Sequence, residues 1–89
     1  MRIDYTVQIW KEADQFVAHA LPIDVVSSGC TPDQARMALA EAVSLFLSTA
    51  QTMGTLEEVL EECSYKFREG IWEAPEWVAW ERQSTLLCA

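Results

Sequence analysis

Few residues in this chain are of types that carry out chemistry. The single histidine, His19, is a candidate general base, because an imidazole titrates near neutral pH and can accept a proton from a nearby nucleophile. No serine, cysteine or aspartate stands at a spacing that pairs with it. A histidine inside an alternating strand is also commonly a packed residue. Cys30, Cys63 and Cys88 are thiols, a type that ligates zinc in closely spaced pairs. They are widely spaced, no pair has the close spacing of a zinc knuckle, and one histidine cannot complete such a site. An odd number of cysteines, behind an opening Met1-Arg2-Ile3-Asp4 that lacks a charged-then-apolar leader, reads as reduced thiols in the cytoplasm.

Residues suited to recognition are more numerous. Glu57, Glu58, Glu61 and Glu62 place four carboxylates within six positions. They form either a face for a basic partner or an ordinary solvated helix surface. Trp72, Trp77 and Trp80 put three indoles within nine positions. Tryptophans in such a cluster anchor interfaces, and they also cover a sheet edge, cap the core of a small domain or pack in a dimer contact. These seven residues are the candidate partner-binding set.

The elements that must position them follow from periodicity. Ile3, Tyr5, Val7 and Ile9 alternate with Asp4, Thr6, Gln8 and Trp10, which predicts a strand with one buried face. Lys11 to Asp14 is a short polar hairpin loop. Gln15 to Leu21 is the returning strand, with Phe16, Ala18 and Ala20 on one face and Val17, His19 and Leu21 on the other. Pro22 stops or kinks it, and Ile23 to Ser28 is a third strand. Gly29 is read as a turn glycine, free to take a backbone angle that a side chain resists. Thr31 then caps a helix, Pro32 fills its first turn, and Gln34 completes a capping box.

That helix is predicted from Pro32 to Met53, about 33 Å long. Ala35, Leu39, Ala42, Phe46 and Ala50 lie on its inner face, and Val43, Leu45 and Leu47 widen the apolar stripe. Gly54 ends it in a left-handed conformation. Thr55 and Glu58 form a second capping box for a short helix that finishes near Tyr65 to Arg68, with Leu56, Val59, Leu60 and Cys63 facing inward. Gly70 to Pro75 reads as irregular. Trp77 to Arg82 reads as a fourth strand or a short extended arm.

The expected fold is therefore α+β, a three- to four-stranded, mainly antiparallel sheet against one long helix, with a short second helix. We expect one domain over residues 1–89, with a core over 1–68 and a Trp-rich C-terminal extension over 69–89. A chain of 89 residues buries only about 60–65% of its unfolded surface. Together with a helix more apolar than one face requires, this favours a homo-oligomer, a dimer or tetramer. The net charge of −8 disfavours direct binding of nucleic acid and suits a basic protein partner. The apolar runs fall far short of the ~20 residues that span a bilayer.

In their order and spacing these segments resemble the HicB antitoxin family. YTVQIW, the polar hairpin and QFVAHALP look like that family's first two strands. IDVVSSG followed by CTPDQARMALAEAV looks like its third strand and helix, and GTLEEVLEECSY resembles the extension of a stand-alone branch. Gly29, Thr31, Pro32, Gln34, Gly54, Thr55 and Glu58 are the signature positions, all turn or cap residues. The resemblance implies a partial RNase H-like fold and binding of a small basic HicA-type mRNA-cleaving toxin whose catalytic histidine it masks. Two features depart from the family. Glu69 to Ala89 is too short for the usual DNA-binding domain, and Cys30 stands where an acidic or polar residue is common.

An RNase H-like fold invites a search for carboxylates that hold two metal ions. Asp4, Asp24 and Glu41 are the candidates. Asp4 falls on the strand face opposite Ile3, Tyr5 and Val7, with no second strand carboxylate clearly beside it, and the resemblance implies a partial fold without catalysis. The chain is thus read as a non-enzymatic antitoxin-like protein without a cofactor or metal. The alternatives are a stand-alone oligomeric scaffold or regulatory module, and a degenerate nuclease.

Overall fold

A computed structural model describes residues 1–88. Its main sheet is an antiparallel meander of β2 (Thr6–Glu12), β3 (Gln15–Leu21) and β4 (Val25–Gly29). The helix α1 (Pro32–Thr52) packs chiefly against β4 and β3. After it come the short helix α2 (Leu56–Glu62) and a hairpin of β5 (Lys66–Arg68) and β6 (Ile71–Glu73). β6 pairs in parallel with β1 (Arg2–Ile3), so a second three-stranded sheet has the order β1-β6-β5. The α+β class, the antiparallel sheet on a long helix and the short second helix are as the sequence reads. Among the described residues no helix is long and apolar enough to cross a membrane.

The strand register sorts the side chains. Ile9 stands opposite Ala18 and Val7 opposite Ala20, while Val25 faces Ala20 from the other side. Directly opposed residues share a face, so these line the side under α1. Ala18, Ala20 and Ala35 are fully buried there. Three small side chains let the helix approach the sheet closely. Leu39 and Val43 fill the space between, while Val7 on the outer strand, away from the helix, stays partly exposed. Leu39 and Leu60 are the largest fully buried side chains, and truncating either to alanine costs about 2–5 kcal/mol.

Several boundaries differ from the sequence reading. The first strand is broken at Asp4 and Tyr5, where the chain leaves the small sheet for the main one. Tyr65 fixes that break by donating its hydroxyl hydrogen to the Asp4 carbonyl at 2.5 Å. The hairpin loop is only Ala13 and Asp14, with Ala13 at φ 54°. The third strand begins at Val25, after a turn in which Asp24 takes φ 63°. Phe46 and Leu45 on α1 are exposed, whereas Val43 is buried, so the inner stripe is Ala35, Leu39, Val43 and Ala50.

The largest change lies between residues 64 and 76. α2 ends at Glu62 rather than near Tyr65 to Arg68, because β5 occupies Lys66–Arg68 and pairs with β6, which forms inside the Gly70 to Pro75 stretch read as irregular; no strand forms over Trp77 to Arg82. Those residues belong to an arm, Ala74–Cys88, that has no regular secondary structure. The packed part consequently runs beyond residue 68, because Trp72 is a core residue and Ala74 packs against that core.

The helix ends show why the signature residues are there. Thr31 caps α1 as expected, accepting from the Gln34 amide at 3.0 Å. The Gln34 side chain accepts from the Cys30 amide at 3.1 Å, one residue before the cap, so the reciprocal bond satisfies a different donor. Gly54 has φ 74°. Its amide bonds the Gln51 carbonyl and that of Thr55 bonds the Ala50 carbonyl, the paired closure of a Schellman motif. This closure overturns the second capping box. It holds Thr55 at φ −111°, ψ 4°, away from the extended geometry a capping residue needs. The Thr55 hydroxyl instead donates back to Ala50 O at 3.4 Å, and no Thr55 side-chain cap forms over Glu58.

Gly29 is the other correction. Its backbone is not in the left-handed region. A Cβ there would stand 2.6 Å from the Ala35 amide nitrogen and 2.8 Å from the Gln34 carbonyl carbon. Glycine is required by the close approach of β4 to the first turn of α1, not by a turn angle.

Candidate functional site

The residues expected to do chemistry do not converge. His19 is hydrogen-bonded to Asp24 at 2.5 Å, five positions on, and stands edge-on to Trp10 with ring centroids 6.2 Å apart. The sequence spacing alone pairs no aspartate with it. The positive φ of Asp24 turns the chain back so that this carboxylate meets the imidazole. Asp4 is taken by Arg2 at 2.9 Å. Glu41 is exposed on α1. Among the described residues no three metal-ligating side chains form a group. The cysteines are all free thiols. Burial pushes the Cys63 thiol up, aided by the charge of Glu62 and Asp24, which disfavours the reactive thiolate.

An open cleft of ≈ 320 Å³ lies between the chain start and α1, lined by Ile3, Tyr5, Val43 and Leu47 among others. Tyr5 is the one ionisable side chain on its wall. Such a surface can hold an apolar group but offers no acid–base pair.

The recognition residues are brought together more tellingly. The Schellman closure starts α2 immediately after α1. Leu56 and Leu60, four apart, anchor one side of α2 in the core. Glu57 and Glu61 therefore share a neighbouring stripe, and Glu58 and Glu62 the next. All four are exposed, and none is in a salt bridge among the described residues. Like charges four apart on a helix disfavour it by about 0.2–0.5 kcal/mol per pair. The positive end of the helix dipole offsets part of this at Glu57 and Glu58.

The β5–β6 hairpin supplies an aromatic wall. Its two-residue turn, Glu69-Gly70, has φ 52° and 80°, the paired positive angles of a tight hairpin. Phe67 and Trp72 are then direct cross-strand partners with ring centroids 5.1 Å apart, and Arg68 bridges to Glu73 at 3.1 Å. Trp72 is buried while Phe67 is largely exposed. Glu57, Glu61, Phe67, Trp72 and Met1 line a cleft of ≈ 290 Å³. Two unpaired carboxylates beside an exposed aromatic ring can hold the charged head of a lysine or arginine while its stem lies on the ring.

Of the seven candidate residues, this cleft gathers Glu57, Glu61 and Trp72. Glu58 and Glu62 lie outside it. Phe67 was missed by the sequence reading. Its signal was the Glu-Gly pair between Lys-Phe-Arg and Ile-Trp-Glu, a short hairpin pattern. Trp77 and Trp80 sit apart on the arm, with rings 4.9 Å from each other. Trp77 donates its indole N–H to the Thr6 hydroxyl at 2.8 Å, which ties the arm to the start of β2.

Compared with protein-family models, with characterised proteins and with solved structures, the chain matches none.

Proposed function

We propose that this protein is a non-catalytic, HicB-like antitoxin that binds a small basic HicA-type mRNA-cleaving toxin and covers its active site. Sequence resemblance motivates the family. The observation that carries the reading is the cleft of Glu57 and Glu61 over Phe67 and Trp72, an acidic rim on an aromatic floor. With a net charge of −8, the domain attracts a basic partner over long range. A lysine or arginine seated on the ring supplies the short-range contact. Inhibition by this route is steric and needs no covalent step.

The test is co-expression with a small basic protein encoded beside this gene, followed by purification through a tag on this chain. Co-purification and relief of toxicity are expected. The double variant Glu57→Gln/Glu61→Gln should weaken the complex about 10- to 100-fold, as expected for two charge-assisted contacts. Absence of any small basic protein from the purified material, with toxicity unrelieved, would sink the reading.

A second reading, an oligomeric regulatory module without a toxin, is favoured by the arm. Its Val78, Leu86 and Leu87 side chains are almost fully exposed.

A further inference from the structure

Beyond Trp77 the arm departs from the domain. Val78, Leu86 and Leu87 are 95%, 99% and 89% exposed. The radius of gyration is 15.4 Å, against about 12 Å for a compact chain of this length, and the longest dimension is 47 Å. A segment without secondary structure of its own that carries three bare apolar side chains is available to pair with a sheet.

The same molecule holds a sheet edge without a strand. Of the four outer strands among the described residues, β1 has only two residues and β5 is guarded by Lys66 and Arg68. β2 carries Lys11 and Glu12 and takes the Trp77 contact at Thr6. β4 reads Val-Val-Ser-Ser-Gly, with no lysine, proline or charge to block pairing, and Val26 is exposed on it. Edges so unguarded recruit a further strand.

Length and charge choose the occupant. β4 spans five residues, about 17 Å, and the uncharged run Gln83–Cys88 spans about 20 Å when extended. Two copies at −8 each repel, so close contact between them is favoured where both surfaces are uncharged. The arm's last described residues and β4 meet that condition.

We propose that the arm of one protomer adds as a strand to the free β4 edge of a second copy, with the exchange reciprocated in a twofold dimer. Main-chain hydrogen bonds supply the pairing, and Leu86 and Leu87 supply apolar contact. The dimer stands whether or not a toxin is bound, and it gives the oligomeric reading its interface.

Light scattering on the full chain at about 100 μM should give twice the 10.1 kDa chain mass. Leu86→Asp/Leu87→Asp in the arm and Val26→Lys on the edge should each weaken the dimer at least about 100-fold, with circular dichroism unchanged. Mixing the two variants decides the geometry. The intact arm of the Val26→Lys copy meets the intact edge of the Leu86→Asp/Leu87→Asp copy, so the mixture should recover a dimer. A monomeric wild type overturns both this proposal and the oligomeric reading. A dimer that survives the arm variant, or a mixture that stays monomeric, overturns the arm-to-edge pairing alone.

Discussion

Replacing Gly29 by alanine tests the contact that seats α1 on the sheet. The added methyl would meet the Ala35 amide nitrogen at 2.6 Å and the Gln34 carbonyl carbon and Cβ at 2.8 Å. Two of these are backbone atoms, and they belong to a turn already fixed by the Thr31 cap and by the Ala35 amide bonded to the Thr31 carbonyl at 2.9 Å. No flexible side chain can swing aside. Either β4 moves off the helix or the first turn of α1 shifts. Overpacking of this kind costs about 1–3 kcal/mol, and losing the cap adds about 1 kcal/mol. A domain of this size has about 4–13 kcal/mol of stability in total, so a loss of about 2–4 kcal/mol is a large share. Thermal unfolding by circular dichroism should show Tm lower by roughly 10–25 °C. Gly54→Ala is the control. Its φ is 74° but nothing lies within 4 Å of the added carbon, so only the backbone penalty of about 1–2 kcal/mol applies. If Gly29→Ala proves milder than Gly54→Ala, the close approach is not what demands glycine at position 29.

The two threonines that precede helices should behave differently. Thr31→Ala removes a formed cap and should lower urea-unfolding stability by about 1 kcal/mol, while Thr55→Ala should cost only a few tenths, because its hydroxyl does not cap α2 and makes only a long bond to the Ala50 carbonyl. Equal losses would contradict the cap assignments. Tyr65 gives a pH dependence. Burial, then the charges of Cys63, Asp4 and Tyr5, pushes its phenol up from 10 to about 12. Between those values the unfolded chain releases the proton while the folded one keeps it, so stability falls as pH rises through this window. Below about 10 the phenol is neutral in both states and contributes no slope. In Tyr65→Phe this part of the alkaline slope should vanish, and at pH 7 the Asp4 carbonyl, left without its partner, should cost about 1–3 kcal/mol. An unchanged alkaline slope in the variant would refute the assignment to Tyr65.

Local signals carried much of the fold. Period-two alternation marked β2 and β3, and the assignment of Phe16, Ala18 and Ala20 to one face and Val17, His19 and Leu21 to the other agrees with the register. The Thr31 cap, Pro32 and Gly54 marked the ends of α1 to within one residue. These features depend on neighbours a few positions apart, which the order of residues fixes by itself. The resemblance to a family rested on the same turn and cap positions, so it spoke to the scaffold more than to any binding surface.

The rest depends on contacts between distant residues. Tyr65 meets Asp4 and Trp77 meets Thr6 across 61 and 71 positions, and β1 finds β6. Such pairings leave no local period, so the second sheet was not legible and Trp72 could not be told apart from Trp77 and Trp80. The Gly29 position shows the division most plainly. Sequence alone determined that a glycine lies between a strand and a capped helix. Only the packing of β4 on the first turn of α1 decided why no other residue fits, because the atoms that exclude a Cβ arrive there through the folded backbone.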